Sequence, residues 1–397
     1  MKRRPRGREL PKPRAEAHAA LGPYARGTVT EKALGRTLSL DVPFDVFASQ
    51  AVDDGTLLLL ENLPEGEPRS VVDLGCGYGA LGLPVALRWP GARCLLIDRD
   101  LLAVRASAHN ARALGAAHVE ARPGRGYRGL KGERFDWVLC NLPARIGSRA
   151  IRSLLEGGRA LGAEVRAVVI RDLGEMVAAL ALSGLRRVAR GARHDVFALP
   201  PGPAEGDTDD LDVYARDQTR FAGLRLERPH DASEEPSHLA RLALLEESLP
   251  RAPPSRALAF RAGYGAVPLL LRSRYPAAEV IAQERDLLDA AFLRRNAQAL
   301  GLPVEVRETL FPSEAGSPGS FGLVLGELSS PAGAAVAARE LRDASGLLAP
   351  GGEALILATE KQEREWLPSA APRGTALTVL LRREGASVLR ISRKRGD

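Results

Sequence analysis

The chain has 397 residues, of which 45% are hydrophobic and 26% are charged, a composition typical of folded globular proteins. No apolar run approaches the roughly 20 residues that a membrane span needs, so we expect no membrane partner. Three cysteines without a C-x-x-C pair and six scattered histidines argue against a disulfide framework and against a metal site. We expect a cytoplasmic protein without metal, and we favour a monomer.

The positive charge is concentrated at the start of the chain. Residues 1–14 contain seven Lys or Arg and one Glu, which gives +6 of the total formal charge of +7. A segment rich in Pro and Arg cannot bury an apolar core and attracts phosphates. We therefore predict that residues 1–20 form a basic, disordered tail, whose role is either contact with nucleic acid or solubility alone.

From residue 37 onward the sequence alternates between strand and helix patterns. Residues 37–47 have the alternation of one or two strands, and residues 53–63 have a helical pattern. Strands are then predicted over 71–74, 93–97, 118–121, 135–140 and 164–170, with helices over 80–89, 101–114, 148–161 and 174–182 and a final strand near residue 195. This alternation predicts an α/β fold with a mostly parallel sheet covered on both faces.

The second half of the chain repeats the first at a constant offset of 186 residues. Residues 71–116 and 257–302 share 17 identities in 46 positions without a gap. We infer two tandem Rossmann-like domains, over 21–200 and 213–397, joined by a linker at 201–212 that is rich in Pro, Gly and Asp.

The two copies differ where a ligand site would need them to agree. Three changes matter most: Asp73 corresponds to Ala259, Gly75 to Arg261 and Asn141 to Glu327. We therefore predict that the second domain is degenerate and does not bind a cofactor productively. The alternative is that Glu284, opposite Asp98, and the remaining glycines still hold a nucleotide.

The segment Asp73-Leu74-Gly75-Cys76-Gly77-Tyr78-Gly79 predicts a strand, a tight turn and a helix start. Glycines let the backbone approach a nucleotide-like ligand closely. Residues 77–82 match the dinucleotide fingerprint G-x-G-x-x-G, which leaves a dehydrogenase as an alternative. However, the carboxylate of Asp73 would repel a diphosphate and suits the positive charges of S-adenosylmethionine. Asp98, at the end of the next strand, would bind the ribose of either cofactor.

The pattern D-x-G-x-G-x-G resembles motif I of the class I methyltransferases. The resemblance implies S-adenosylmethionine as cofactor. It also implies contacts from Asp73, Gly75, Cys76, Gly77, Gly79 and Asp98.

After the fourth predicted strand comes Cys140-Asn141-Leu142-Pro143-Ala144. It resembles the Asn-Pro-Pro-aromatic motif of enzymes that methylate planar nitrogens. The oxygen of Asn141 and the carbonyl of Leu142 could accept the hydrogens of an exocyclic amine, with Pro143 shaping the turn. Ala144 replaces the aromatic that stacks on the base, so Arg145, Tyr127 or another residue must supply that surface. The bland alternative is a simple strand-ending turn.

Three further side chains near these motifs are given structural roles. Cys140 invites a covalent mechanism, but it does not follow a proline as in cytosine C5 methylation, so we interpret it as a small strand-end residue. Cys76 is interpreted as a compact filler of the turn, and His109 as a solvated helix residue.

The segments 47–63, 71–87 and 140–147 together are similar to the catalytic half of the RsmC-type ribosomal RNA guanine-N2 methyltransferases of the small subunit. Phe47, Asp53, Gly55 and Thr56 match the family's pattern before motif I, while Ala48 replaces its serine. The resemblance implies Asp53 as a further cofactor-site residue and covers nearly the whole chain. One difference is that the family usually places the degenerate copy first.

These observations predict an enzyme that transfers a methyl group to guanine N2 of ribosomal RNA, acting on RNA or on the small ribosomal subunit. Two alternatives stay open. One is a non-catalytic factor that binds S-adenosylmethionine and RNA. The other is an N-methyltransferase that acts on adenine N6 or on a protein glutamine.

Overall fold

The computed structural model describes residues 10–204, 210–232, 236–328, 332–370 and 375–393. The chain divides into two compact units, Met1–Val213 and Tyr214–Asp397. Residues 205–209 of the predicted linker lie outside the described part. None of the described helices is long and apolar enough to cross a membrane.

The first unit is an α/β domain preceded by a hairpin. In chain order its elements are α1 (Ala15–Leu21), β1 (Ala25–Ala33), β2 (Arg36–Pro43), α2 (Asp54–Leu60), β3 (Ser70–Leu74), α3 (Gly82–Arg88), β4 (Arg93–Asp98), α4 (Leu101–Ala113), β5 (Val119–Pro123), β6 (Trp137–Asn141), α5 (Ser148–Ala160), β7 (Glu164–Ile170), α6 (Arg171–Ala178), β8 (Arg186–Arg190) and β9 (His194–Leu199). The sequence gave no prediction for β1 and β8.

Seven of these strands form one sheet in the order β5-β4-β3-β6-β7-β9-β8. Strands β3 to β7 run parallel, and β9 runs antiparallel to both β7 and β8. The parallel strands are apolar throughout because helices cover both faces. Their carboxyl ends therefore meet at one edge of the sheet, where Leu74, Asp98 and Asn141 end β3, β4 and β6.

The prediction of a disordered tail over residues 1–20 is wrong for its second half. Residues 15–21 form α1, whose Leu21 is fully buried. The preceding Arg14 donates from Nε to Oδ2 of buried Asp41 over 2.6 Å. Burying this ion pair and the apolar face of α1 orders the segment. Residues 1–9, which hold most of the tail's charge, lie outside the described residues.

The prediction that His109 is solvated is also wrong. His109 is only 4% exposed, and its Nε2 lies 2.9 Å from Oδ2 of Asp41. Burial alone would raise the pKa of Asp41, but hydrogen bonds from Thr28, His109 and Arg14 hold that pKa below its ordinary value. The sequence could not reveal this partner because it lies 68 residues away in the chain.

The second unit has the same order of elements. They are β10 (Ala215–Phe221), β11 (Leu224–Pro229), α7 (Pro236–Glu247), β12 (Arg256–Phe260), α8 (Ala266–Arg274), β13 (Glu279–Glu284), α9 (Leu287–Leu300), β14 (Glu305–Glu308), β15 (Phe321–Glu327), α10 (Gly333–Leu347), β16 (Leu348–Thr359), α11 (Glu360–Ala370), β17 (Thr375–Arg383) and β18 (Ala386–Arg393). Its sheet order, β14-β13-β12-β15-β16-β18-β17, repeats that of the first unit. The two tandem Rossmann-like domains predicted from the repeat are confirmed.

A buried asparagine makes the same contacts in both units. Nδ2 of Asn110 donates to the backbone oxygens of Asp41 and Tyr78, each over 2.9 Å. Asn296 does the same to the backbone oxygens of Glu227 and Tyr264 over 2.9 and 3.0 Å. In each unit one side chain thus ties the hairpin to the glycine turn.

Candidate functional site

The glycine turn after β3 is open on the side where a ligand could approach. Gly75, Gly77 and Gly79 have φ of +77°, +56° and +91°, a region that favours glycine. The backbone N–H groups of Gly75 and Cys76 both donate to the oxygen of Ile97, over 2.8 and 3.0 Å. A Cβ on Gly75 would have no heavy atom within 4 Å, whereas one on Gly79 would lie 2.5 Å from Leu83. Gly79 therefore serves packing, and Gly75 borders open space.

Asp73, at the end of β3, is 1% exposed. Its Oδ2 accepts a hydrogen bond from the N–H of Gly82 over 2.8 Å, at the start of α3. Among the described residues no atom hydrogen-bonds its buried Oδ1. Burial raises the pKa of Asp73 to about 7, and the charge of Asp98 adds to the increase while the bond from Gly82 opposes it. The unpartnered oxygen leaves this carboxylate able to accept one more donor or a positive charge.

Asp98, at the end of β4, supports the turn. Its Oδ2 accepts from the N–H of Gly77 and its Oδ1 from the N–H of Asp100, each over 2.9 Å. Each carboxylate oxygen retains a further lone pair, so the same group could also meet ribose hydroxyls. Its contact with a cofactor stays a prediction.

Asn141, at the end of β6, is held by two side chains of α2 and its cap. Its Nδ2 lies 3.1 Å from Oδ2 of Asp53 and 3.1 Å from Oγ1 of Thr56. Both hydrogens of the amide are then used, so its Oδ1 remains as an acceptor for another donor. Asp53 also accepts from the N–H of Gly55 over 2.9 Å and caps α2. The structure thus brings Asp53 to Asn141, and its predicted role as a cofactor contact stays a prediction.

The rest of the acceptor motif forms a turn at the sheet edge. Leu142 is buried, and its N–H donates to the oxygen of Val168 over 2.9 Å, while Pro143, Ala144 and Arg145 are exposed. Tyr127 cannot supply the missing aromatic surface, because it is buried and its hydroxyl donates to the oxygen of Leu154 over 2.8 Å.

The three cysteines of the first unit are all free and buried. Burial raises the pKa of Cys76 and Cys140 well above the ordinary thiol range and that of Cys94 to about 12. A thiolate nucleophile is therefore disfavoured at all three positions. Among the described residues, no group of three His, Cys, Asp or Glu side chains could hold a metal ion.

Sequence reasoning missed one residue of this region, His194 at the start of β9. Its Nε2 lies 3.7 Å from Oδ2 of Asp53. A Cβ on Gly55 would lie 2.8 Å from the His194 ring and 2.7 Å from the Asp53 carboxylate. Only glycine fits at position 55, and the Asp-Asp-Gly-Thr sequence was the one available signal.

The corresponding region of the second unit is filled by other side chains. Arg261 has φ of +51° and donates from Nε to Oε1 of Glu340 over 2.7 Å. Glu327 accepts or shares a hydrogen bond with His238 over 2.6 Å. A cavity of about 40 Å³ remains between Phe260, Gly263 and these residues. Sites for drug-sized ligands have about 300–1,000 Å³, so this cavity is far too small for a nucleoside cofactor.

Comparison with known proteins adds a family to this geometry. Residues 39–164 match the family model of the methyltransferase small domain. This methyltransferase small-domain segment contains the glycine turn, Asp53, Asp98 and Asn141, so the sequence motifs and the family match fall on the same site.

Two relatives resemble parts of the chain. A ribosomal RNA large subunit methyltransferase G of Alcanivorax borkumensis is 33% identical over 184 residues, 44% of this chain and 47% of the relative. A release factor glutamine methyltransferase of Xylella fastidiosa is 42% identical over 84 residues, 21% of this chain and 30% of the relative. The chain spans less than half of the length of these curated relatives.

One solved structure resembles almost the whole chain. The T. thermophilus 16S rRNA N2 methyltransferase (RsmC), in complex with AdoMet and guanosine, aligns with a TM-score of 0.68 and 21% identity. The alignment covers 94% of this chain and 100% of that protein. At this identity the likeness establishes the shared two-domain fold beyond the methyltransferase small-domain segment.

Proposed function

We propose that the first unit is an S-adenosylmethionine-dependent N-methyltransferase whose acceptor is an exocyclic amine of ribosomal RNA, with guanine N2 as the target atom. The observation that carries this proposal is the contact of the Asn141 amide with Asp53 and Thr56, which directs Oδ1 of Asn141 outward as an acceptor.

The residues around the glycine turn fit this cofactor. Oδ1 of Asp73 is buried without a hydrogen-bond partner among the described residues, and Gly75 borders open space. A positively charged group at this point would compensate the buried carboxylate. When bound, the cofactor supplies a methyl group on a sulfonium. Asp73 would face its positive charge, and Asp98 would accept from the ribose hydroxyls.

The acceptor residues fit an amine rather than a carbon. An exocyclic amine conjugated to a purine is a weak nucleophile. Two acceptors, Oδ1 of Asn141 and the carbonyl of Leu142, would hold its hydrogens and direct the nitrogen lone pair toward the methyl group. No general base is needed before the transfer. The raised pKa of Cys140 argues against a covalent attack on a pyrimidine.

Ribosomal RNA is proposed as the substrate because the names of two of the similar proteins agree on it. The relative from Alcanivorax borkumensis is named for the large subunit and the T. thermophilus protein for 16S rRNA. The choice between the two subunits is part of the test.

The second unit is proposed to be a degenerate copy that binds RNA without catalysis. Ala259, Arg261 and Glu327 stand where Asp73, Gly75 and Asn141 stand in the first unit. The small cavity near Gly263 supports the same conclusion.

The test is methyl transfer to RNA from ribosomal subunits of a strain that lacks this gene, followed by mass spectrometry of nucleosides. We expect N2-methylguanosine with the natural chain and none with Asn141→Ala. Asn62→Ala, another asparagine of the first unit, is the matched control and should retain activity. Normal incorporation by Asn141→Ala would overturn the acceptor assignment.

A second candidate is transfer to a protein glutamine, which the match to a release factor glutamine methyltransferase favours. A glutamine amide would use the same acceptors on Asn141 and Leu142. Methylated peptides in ribosomal proteins or release factors, with unmodified RNA, would support it. The same nucleoside analysis would reveal adenine N6 as the target. Cofactor binding without any methylated product would indicate a non-catalytic assembly factor.

A further inference from the structure

An aromatic side chain in the first unit is exposed without a packing partner that would explain it. Phe47 is 71% exposed, and the other large exposed hydrophobic residues in the described part of the chain are Ile170 and Leu380. Exposing an aromatic ring to water forfeits its burial energy. Exposed residues of this kind, when they are held in place near a site, are candidates for ligand contact.

The loop over residues 44–53, which carries Phe47, is fixed to the glycine turn. The hydroxyl of Tyr78 donates to the oxygen of Ala48 over 3.2 Å. Cγ1 of Val46 lies 4.0 Å from the position of a Cβ on Gly77. The residues on both sides of Phe47 are therefore anchored while its ring is left in solvent.

The backbone of the loop is strained on both sides of Phe47. Asp45 has φ of +64° and Ala48 has φ of +56°, values that residues with a Cβ rarely adopt. Such strain persists only where the surrounding contacts enforce it, and it is concentrated at ligand and active sites. The hydrogen bond from Arg26 to Oγ of Ser49, over 2.6 Å, is a further contact that holds the loop.

The loop leads to the acceptor side of the site. It begins at the glycine turn after β3 and ends at Asp53, whose carboxylate binds Asn141 at the end of β6. Asp98, the predicted ribose contact, ends β4 on the other side of β3. Phe47 thus belongs to the β3 and β6 side, where the acceptor amine would lie.

The geometry points to Phe47 as the surface that stacks on the acceptor nucleobase, in place of the aromatic that the motif lacks at Ala144. This inference rests on the proposed function. A planar base needs an apolar or aromatic face to hold it perpendicular to the in-line direction of methyl transfer. Tyr127 is buried and cannot supply that face, and Phe47 is an exposed aromatic fixed beside the site.

The test compares F47A, F47L and F47W with the natural chain in methyl transfer to RNA from unmethylated ribosomal subunits. Loss of one base stack should lower kcat/KM of F47A roughly 5- to 150-fold, and F47L should be similarly impaired. F47W should restore activity because indole stacks as well. Cofactor affinity, measured by calorimetry, should not change. L380A, an exposed apolar residue of the second unit, is the matched control and should keep full activity.

Several results would overturn the inference. They are full activity of F47A, full activity of F47L, or a loss of cofactor affinity in F47A, which would make Phe47 a cofactor contact. An unchanged melting temperature of F47A separates these effects from unfolding. If the natural chain methylates no RNA, the proposed function fails, and stacking is tested by fluorescence of F47W with guanosine monophosphate. Quenching beyond that of the natural chain then supports the base contact, and its absence refutes it.

Discussion

Nδ2 of Asn141 lies 3.1 Å from Oδ2 of Asp53, although the two residues are 88 positions apart in the chain. This contact joins the end of β6 to the cap of α2 and sets the direction of the Asn141 amide. The carboxylate that begins α2 therefore also orients the candidate acceptor group.

Replacing Asp53 should separate these two roles. Asp53→Asn retains a side-chain oxygen that caps α2, so we expect little change in stability. It also places an amide beside the Asn141 amide, so we expect kcat to fall about 10-fold, the effect of losing about 1.4 kcal/mol of transition-state stabilisation. Asp53→Ala should in addition cost about 1 kcal/mol of stability through loss of the cap. Equal kcat in Asp53→Asn and the natural chain, measured in the RNA assay, would contradict this role.

Asp73 should make stability depend on pH when no cofactor is present. Its native pKa of about 7 is above the value of an unfolded aspartate, so the protonated carboxyl favours the folded state. Its stabilising contribution is fully present below about pH 4 and is lost as the pH rises through about 7. The loss should reach the order of 4 kcal/mol for a shift of about three units.

The measurement is denaturant unfolding between pH 4 and 8 for the natural chain and for Asp73→Asn. The asparagine can still accept from the N–H of Gly82 but does not titrate. We expect the natural chain to lose stability relative to the variant as the pH rises. Parallel pH profiles would show that Asp73 titrates as an ordinary carboxyl.

Gly82 should be intolerant of any side chain because it packs on Asp73. A Cβ at this position would lie 2.3 Å from Cδ2 of Leu96 and 2.8 Å from Oδ2 of Asp73. We expect Gly82→Ala to destabilise the protein by about 1–3 kcal/mol, the usual cost of overpacking. Gly91→Ala is the matched control, since a Cβ there has no neighbour within 4 Å. Thermal unfolding of both variants tests this, and equal melting temperatures would count against it.

Gly75→Arg should reproduce in the first unit the change that distinguishes the second. The side chain has room, because no heavy atom lies within 4 Å of the added Cβ, and Arg261 adopts φ of +51° at the matching position. We expect the variant to fold with a strain of about 1–2 kcal/mol and to lose cofactor binding. Gly115→Arg, with φ of +71° and open space around it, controls for the strain.

Calorimetry with S-adenosylmethionine should give one site per natural chain, one for Gly115→Arg and none for Gly75→Arg. Two sites per natural chain would mean that the second unit also binds the cofactor. Retained binding in Gly75→Arg would mean that the cofactor lies elsewhere than beside Gly75.

Much of the fold could be predicted from the sequence because its signals are local. The alternation of strands and helices, and the gapless repeat at 186 residues, led to two tandem α/β domains. The glycine turn was readable because only glycine adopts its φ values without strain. The hairpin strand β1 and the edge strand β8 were missed, since their polar residues lack a clear apolar pattern.

What the sequence by itself determined was the set of groups at the carboxyl edge of the first sheet: Asp73, the glycines, Asp98 and Asn141. The tertiary structure decided how these groups are held. It brought Asp53 to Asn141, buried His109 against Asp41, removed Tyr127 from the site and left Phe47 in solvent beside the turn. The physical reason is that backbone propensities act over a few residues, whereas burial and side-chain hydrogen bonds depend on contacts between segments that only the folded chain brings together.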